Sequence, residues 1–194
     1  PQRKGPAGFP GKGSSGKGNQ AASSGSSGSA LSPKPAVFPK NLPPINKMLD
    51  VFIVYSPEDK VFLAEIEKQL AFLNQQGLIK TWNSSQILAG SEKKREIEIH
   101  WNQAQIILLL VSANLMYDSY EVIQRAIARG EEGTARVIPI LLSPCLSDLP
   151  EKFAVLPLNG EPITRWAKRP DAYYDIAKGI SEAAKQLLYA HEEA

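Results

Sequence analysis

Gln105–Ser112 reads QIILLLVS, and no other stretch constrains the fold as much. Ile106–Val111 is apolar throughout, which suits a central strand and falls well short of the roughly 18–20 residues that span a bilayer. Leu49–Tyr55 (LDVFIVY) is a second, nearly continuous apolar run, the pattern of a strand covered on both faces. Leu78–Trp82 and Arg136–Leu142 are further short strands, and Phe153–Leu158 is a weak fifth. Pro139 inside RVIPILL argues for a bulge or a strand end rather than a central ladder position. Helical patterns fall between these runs. Ser56 and Pro57 offer a cap and first-turn residue for a helix that carries Phe62, Leu63, Ile66, Leu70 and Leu73 at helical spacing and stops at Gly77. Ser91–Ala104, Tyr120–Arg129 and Asp171–His191 follow. Strand–helix alternation of this kind predicts an α/β fold, a parallel sheet with helices on both faces joined by right-handed crossovers. Ligands of such sheets bind beyond the carboxyl ends of the strands. The loops of interest are therefore Ser56–Asp59, Asn83–Glu92, Ala113–Tyr120 and Ser143–Leu149.

Charge divides the chain. Residues 1–47 hold seven basic residues, no acidic one, and eight of the 14 Gly and eight of the 15 Pro. The remaining 147 residues hold 15 basic and all 20 acidic residues, a net of −5. The first segment is predicted to be a disordered Gly/Ser/Pro-rich basic linker, because it has too little apolar surface to offset its ordering entropy. Residues 48–194 suffice for one domain with a substantial core. The acidic balance of that domain argues against nucleic acid as its ligand. A lone Cys145 excludes an internal disulfide framework and a multi-Cys metal site, and His100 and His191 share no ligand spacing with it. Neither a signal-peptide pattern nor an apolar span is present, so the expectation is a cytoplasmic domain with no membrane partner. The chain starts at Pro1 and its first Met is Met48, so an excised or processed piece is expected.

Several chemistries are excluded by motif. No GxGxxG follows the first strand, no GxxxxGK[ST] occurs, and no GxSxG elbow is present. A phospho-acceptor site would need an Asp ending a later strand, but the central strand ends in Val111-Ser112. Glu121 is the carboxylate best placed at the sheet's carboxyl edge. A single acid there suits stabilisation of a cationic sugar at a glycosidic bond. It equally suits a helix N-terminus, where the dipole favours an acid.

Taken in order, DVFIVYSPED, TWNSSQILAG, AQIILLLVSANLM, ARVIPILLSPC and LPLNGEPITRW resemble a TIR (Toll/interleukin-1 receptor) domain of the bacterial type, from about Leu49 to Ile180. The resemblance implies a flavodoxin-like three-layer α/β/α fold with a five-stranded parallel sheet in order 2-1-3-4-5. It implies homotypic TIR–TIR assembly, largely through the loop after the second strand, in bacterial immune or stress signalling. It also implies, as the alternative, NAD+ cleavage at the nicotinamide–ribose bond by a Glu in the helix after the third strand. NAD+ would then be a substrate, and no cofactor is implied. The expected partners are other TIR domains or a second copy, and a sensor or scaffold domain outside this chain.

The sequence departs from the family pattern in places. Val54 replaces a small polar residue in the first strand. The second loop lacks both acids, the Arg, the Pro and the second Trp of the bacterial pattern. Aligned from Arg125-Ala126, Val122 falls on the catalytic Glu position; aligned from Tyr117–Tyr120, Glu121 is the nearest acid. One residue is about 100° around a helix, so the register decides whether a carboxylate faces the pocket. In the enzyme reading Glu121 is catalytic, and Tyr55, Ser56 and Trp82 line the pocket. Trp82 is equally a core residue in its own right. The loop tip Ile87, Leu88, Ala89 and Gly90 is either an interaction surface or a pair of apolar residues tucked under their own loop.

Overall fold

A computed structural model of the chain describes residues 39–192. The linker reading on residues 1–38 lies outside the described residues. Four strands form a parallel sheet in the order β2-β1-β3-β4, with β1 at Leu49–Val54, β2 at Ile79–Asn83, β3 at Ile106–Val111 and β4 at Arg136–Leu141. Between them run α1 (Lys60–Gln75), α2 (Lys93–Gln103), the short α3 (Ala113–Asp118) and α4 (Tyr120–Glu132), and α5 (Arg169–Glu192) closes the chain. The predicted α/β class and the order 2-1-3-4 are observed.

The period of two along each strand sorts the core into two layers. Leu49, Val51 and Ile53, with Ile106, Leu108 and Leu110, face α1 and α5, where they meet Ile66, Leu70, Ile176 and Ile180. Phe52 and Val54, with Ile107, Leu109 and Val111, face α2 and α4, where they meet Trp101, Ile123 and Ala126. All six side chains of β3 are buried. Each fully buried aliphatic side chain contributes about 1.5–3 kcal/mol, so β3 anchors both layers.

The expected fifth strand is reduced to one parallel bridge, Ile140 with Leu156. Leu156 donates its N–H to the Pro139 carbonyl at 2.8 Å, and Leu141 donates to the Leu156 carbonyl at 2.8 Å. Backward extension of this ladder needs an N–H on Pro139, which has none. Forward extension needs the N–H of Leu158, which donates instead to Asp175 Oδ2 at 2.8 Å. Pro139 therefore sits inside β4, paired with Leu109 in register, rather than at a bulge or an end. Its missing N–H points to the outer side of the sheet, where Pro is tolerated. The 153–156 segment is held by packing instead: a Cβ on Gly130 of α4 would lie 2.8 Å from the Phe153 ring, and one on Gly179 of α5 would lie 2.5 Å from a Leu156 methyl.

The stretch Ala113–Tyr120, read as a loop, contains α3. Ser112 starts it by accepting the Leu115 N–H at 3.1 Å, a cap that apolar periodicity does not reveal. Part of the expected linker is also folded. Pro39–Lys47 lies against the domain, with Leu42 and Ile45 packed on the α1/α5 layer. These two apolar anchors help to hold a Pro-rich segment that loses little backbone entropy on ordering.

Arg129 joins two connections on the α2/α4 side. Its guanidinium donates to the carbonyls of Trp101, Ala104 (2.9 Å) and Thr134 (2.7 Å). It so closes the end of α2 and the turn after α4, where Gly133 caps the helix at φ 70°. Burial pushes the Arg129 pKa down, yet the group stays charged at neutral pH. Arg129→Ala leaves three inward-facing carbonyls without a donor. It is expected to lower unfolding stability by about 2–4 kcal/mol in urea titrations, and Arg129→Lys to recover less than half of the loss, because an ammonium cannot reproduce the planar fork.

Candidate functional site

β1 and β3 are neighbours, and each is followed closely by a serine at the carboxyl edge of the sheet. Ser56 follows β1 and is fully buried; it accepts the Glu58 N–H at 3.4 Å and so starts the 3-10 turn Pro57–Asp59. Ser112 follows β3 and starts α3 in the same way. Each hydroxyl then donates to an aspartate on the other strand's loop. Ser56 Oγ donates to Asp118 Oδ2 at the end of α3, and Ser112 Oγ donates to Asp59 Oδ2, both at 2.5 Å. Asn114 Nδ2 donates to the second Asp59 oxygen at 3.1 Å. The result is a crossed brace of two serines and two aspartates. Asp59 is buried, and both of its oxygens are engaged, as a buried carboxylate requires.

Ser112, Asn114 and Asp118 are not candidates on sequence grounds, and Asp59 enters there only as an acid of the loop after the first strand. The available signal was the repetition of Ser at two strand ends, each followed within its loop by an Asp, in YSPED and VSANLMYD. The sequence predicts Ser56 as a pocket residue. Its hydroxyl is instead committed to the brace.

The other sequence candidates are distributed around the fold. Tyr55 is half-buried and packs with the α1/α5 layer. Trp82 belongs to the opposite layer, tilted at 41° on Phe52 with ring centres 5.1 Å apart. His100 stacks on it as well, with ring centres 4.3 Å apart and planes at 17°. Trp82 is thus a core residue, buried between two ring neighbours in contact with it. Glu121 is exposed, and among the described residues no polar side chain meets it. Val122, one position on, is half-buried and packs on the α2/α4 core. The adjacent Tyr120 ties the start of α4 to the loop after β4, donating from its hydroxyl to Asp148 Oδ2 at 3.0 Å.

The second loop is rooted by Asn83, which is buried at the end of β2. It accepts from Ser85 N at 2.9 Å and from Ser85 Oγ at 2.6 Å, and its amide donates to Glu67 Oε1 at 2.7 Å. Desolvation pushes the Glu67 pKa up, opposed by the Asn83 hydrogen bond. Beyond this root the two readings of the tip divide between its residues. Ile87 packs on the α2/α4 core, while Leu88 is 77% exposed and Ala89 and Gly90 lie in the open. Gly90 has φ 89°, and a Cβ there would meet nothing within 4 Å. The segments after β3 and β4 are similar: Tyr117, in α3, is 90% exposed, and Leu146, after β4, is 98% exposed. The segments that follow β2, β3 and β4 therefore each present a large apolar side chain to solvent.

Among the described residues no three His, Cys, Asp or Glu side chains could hold a metal ion, and no helix is long and apolar enough to cross a membrane. Residues 51–188 match the family described as TIR domain. An uncharacterized protein of Sinorhizobium fredii, y4lF, is 41% identical over 145 residues, which is 72% of this chain and 45% of that protein. The chain thus spans less than half the length of the curated relative it matches. Among solved structures, the TIR domain of the Toll-related receptor TRR-2 from Hydra magnipapillata is 20% identical, with a TM-score of 0.45, covering 69% of this chain and 98% of that one.

The Trp82–His100 stack has a titratable consequence. Desolvation lowers the His100 pKa below its ordinary 6.5, more than the nearby Glu96 raises it. With the folded value below the unfolded one, the neutral stacked imidazole contributes stability that is present above pH 6.5 and lost as pH falls through the folded value. In an NMR titration His100 is expected to have a midpoint below 6.5, and Trp82→Ala to move it upward by opening the ring to water.

Proposed function

The chain belongs to the TIR domain family, and from that premise we propose that it is a signalling module that works by assembly with other TIR domains, in bacterial immune or stress signalling. The observation that carries this reading is the exposure of three large apolar side chains in the segments that follow β2, β3 and β4: Leu88, Tyr117 in α3, and Leu146. An exposed apolar side chain favours a protein contact, because burying it against a partner removes it from water without disturbing the domain's own core. The crossed Ser–Asp brace supports the same reading. It fixes the loops after β1 and β3 to each other, which lowers the ordering entropy that association must overcome.

The alternative is an NAD+ glycohydrolase with Glu121 as its essential carboxylate. It is the weaker reading. Stabilising a ribosyl cation requires a carboxylate aimed into a cleft, whereas Glu121 is exposed and Val122 is the residue turned inward. Ser56 and Trp82, proposed for its pocket, are engaged in the brace and in the His100 stack.

A concentration series by light scattering tests the first reading. The domain is expected to self-associate, or to associate with a TIR domain of its own source. Leu88→Asp is expected to weaken that association at least tenfold while changing unfolding stability by no more than about 0.5 kcal/mol, since the side chain is exposed. Strictly monomeric behaviour at all concentrations, alone and mixed, counts against it. For the alternative, NAD+ is incubated with the assembled protein. Release of nicotinamide that Glu121→Ala abolishes would reverse the order of the two readings.

A further inference from the structure

The opposite edge of the sheet carries a second buried polar residue with no place in the readings above. Gln105 immediately precedes β3 and its side chain is fully buried. Its Oε1 accepts the Asp50 N–H at 2.7 Å, and its Nε2 donates to the carbonyls of Pro43 at 3.3 Å and Pro44 at 3.0 Å. The backbone of Gln105 pairs on both sides, donating to Asp50 O at 3.0 Å and accepting from Arg136 N at 2.8 Å. One residue thus ties the entering chain to the amino ends of β1, β3 and β4.

The same segment reaches two helix ends. Asn41 donates its backbone N–H to the Gly133 carbonyl at 3.0 Å, and its amide to the Glu132 carbonyl at 3.4 Å. The approach is close enough that a Cβ on Gly133 would lie 3.1 Å from Lys40 N. Leu42 and Ile45 line a hollow of about 190 Å³ together with Leu187 and Ala190 near the end of α5. At the other end of the segment, Lys47 has φ 64°, a conformation uncommon for a residue with a side chain. It marks a bend where the segment turns into β1, and Met48 donates across it to Asn46 O at 2.8 Å.

We propose that Pro39–Lys47 is a releasable strap, latched by the Gln105 carboxamide and hinged at Lys47, that couples the chain entering the domain to the packing of the last turns of α4 and α5. The segment's attachments are few and local. Its backbone is otherwise at the surface, and Lys40, Asn41, Asn46 and Lys47 are exposed. Segments of this kind open more readily than the core they lie on. Releasing the strap strips Asn41 from the end of α4 and Leu42 from the end of α5 together, while the sheet keeps its own ladder. A pull or a reorganisation of the preceding chain would therefore loosen two helix ends without unfolding the domain.

Limited trypsin digestion with hydrogen exchange tests the strap. Both Lys40-Asn41 and Lys47-Met48 are cleavable bonds. In the full chain, cleavage at both is expected to be at least tenfold slower than in a synthetic peptide of residues 39–50. Leu42→Asp acts only from the strap side, and Gln105→Ala removes the latch. Each is expected to bring cleavage to within about threefold of the peptide, and to speed exchange at Thr134 and at Leu187–Ala190 while amides of β3 stay protected. If Gln105→Ala does not fold, Leu42→Asp carries the test alone. Cleavage of the unaltered chain at the peptide's rate overturns the proposal, as does continued protection in Leu42→Asp. Rapid cleavage with unchanged exchange at both helix ends overturns the coupling.

Discussion

The apolar run of β3 is bracketed by its solutions to a single problem. A strand buried on both faces removes its backbone from water, and the chain must leave the sheet at each end through groups that still need partners. Gln105 on one side and Ser112 on the other supply them. Both are buried, both use their side chain to hold a segment more than 50 residues away in sequence, and they stand immediately outside Ile106–Val111. Ser112 secures the loop after β1, while Gln105 secures the segment before it. The position of β1, and through it of α1 and β2, follows from these two contacts as much as from the apolar packing between them.

The layers of the fold were legible because they rest on local pattern. Runs such as LDVFIVY and QIILLLVS declare strands, and the spacing of Leu63, Ile66 and Leu70 declares a helix. What could not be read depends on pairing across distance. The aspartate that Ser112 holds is 53 positions away. The fifth strand looked plausible as a segment but fails as a ladder, since Pro139 withholds a donor and Asp175 takes the next one. Trp82 at a strand end suited either a ligand or the core. Its stacking partner His100 lies in the next helix, and only the fold brings the rings together. The register of Glu121 and Val122 was open in the sequence for the same reason, because it depends on how the short α3 turns the chain into α4.

The two edges of the sheet differ in character. At the carboxyl edge, hydroxyl–carboxylate contacts hold two loops rigidly and apolar tips extend beyond them. At the amino edge, amide–carbonyl contacts hold a Pro-rich segment whose backbone remains largely at the surface. Charge-assisted bonds to carboxylates are roughly twice as strong as neutral amide bonds, so the first edge is the firmer. α4 spans the distance between them, starting beside Asp148 and ending beneath Asn41.

The vestigial fifth strand also bears on how such a domain meets its neighbours. An open parallel edge offers a row of donors and acceptors that any extended chain can read, and proteins that function at high local concentration are the most exposed to that hazard. Here the outer side of β4 is interrupted by a proline and occupied by a single bridge, with Phe153 and Leu156 wedged against glycines on the flanking helices. Strand-to-strand recruitment along this side is blocked by the backbone itself. An extended chain that approached the outer side of β4 would find no continuous ladder to join.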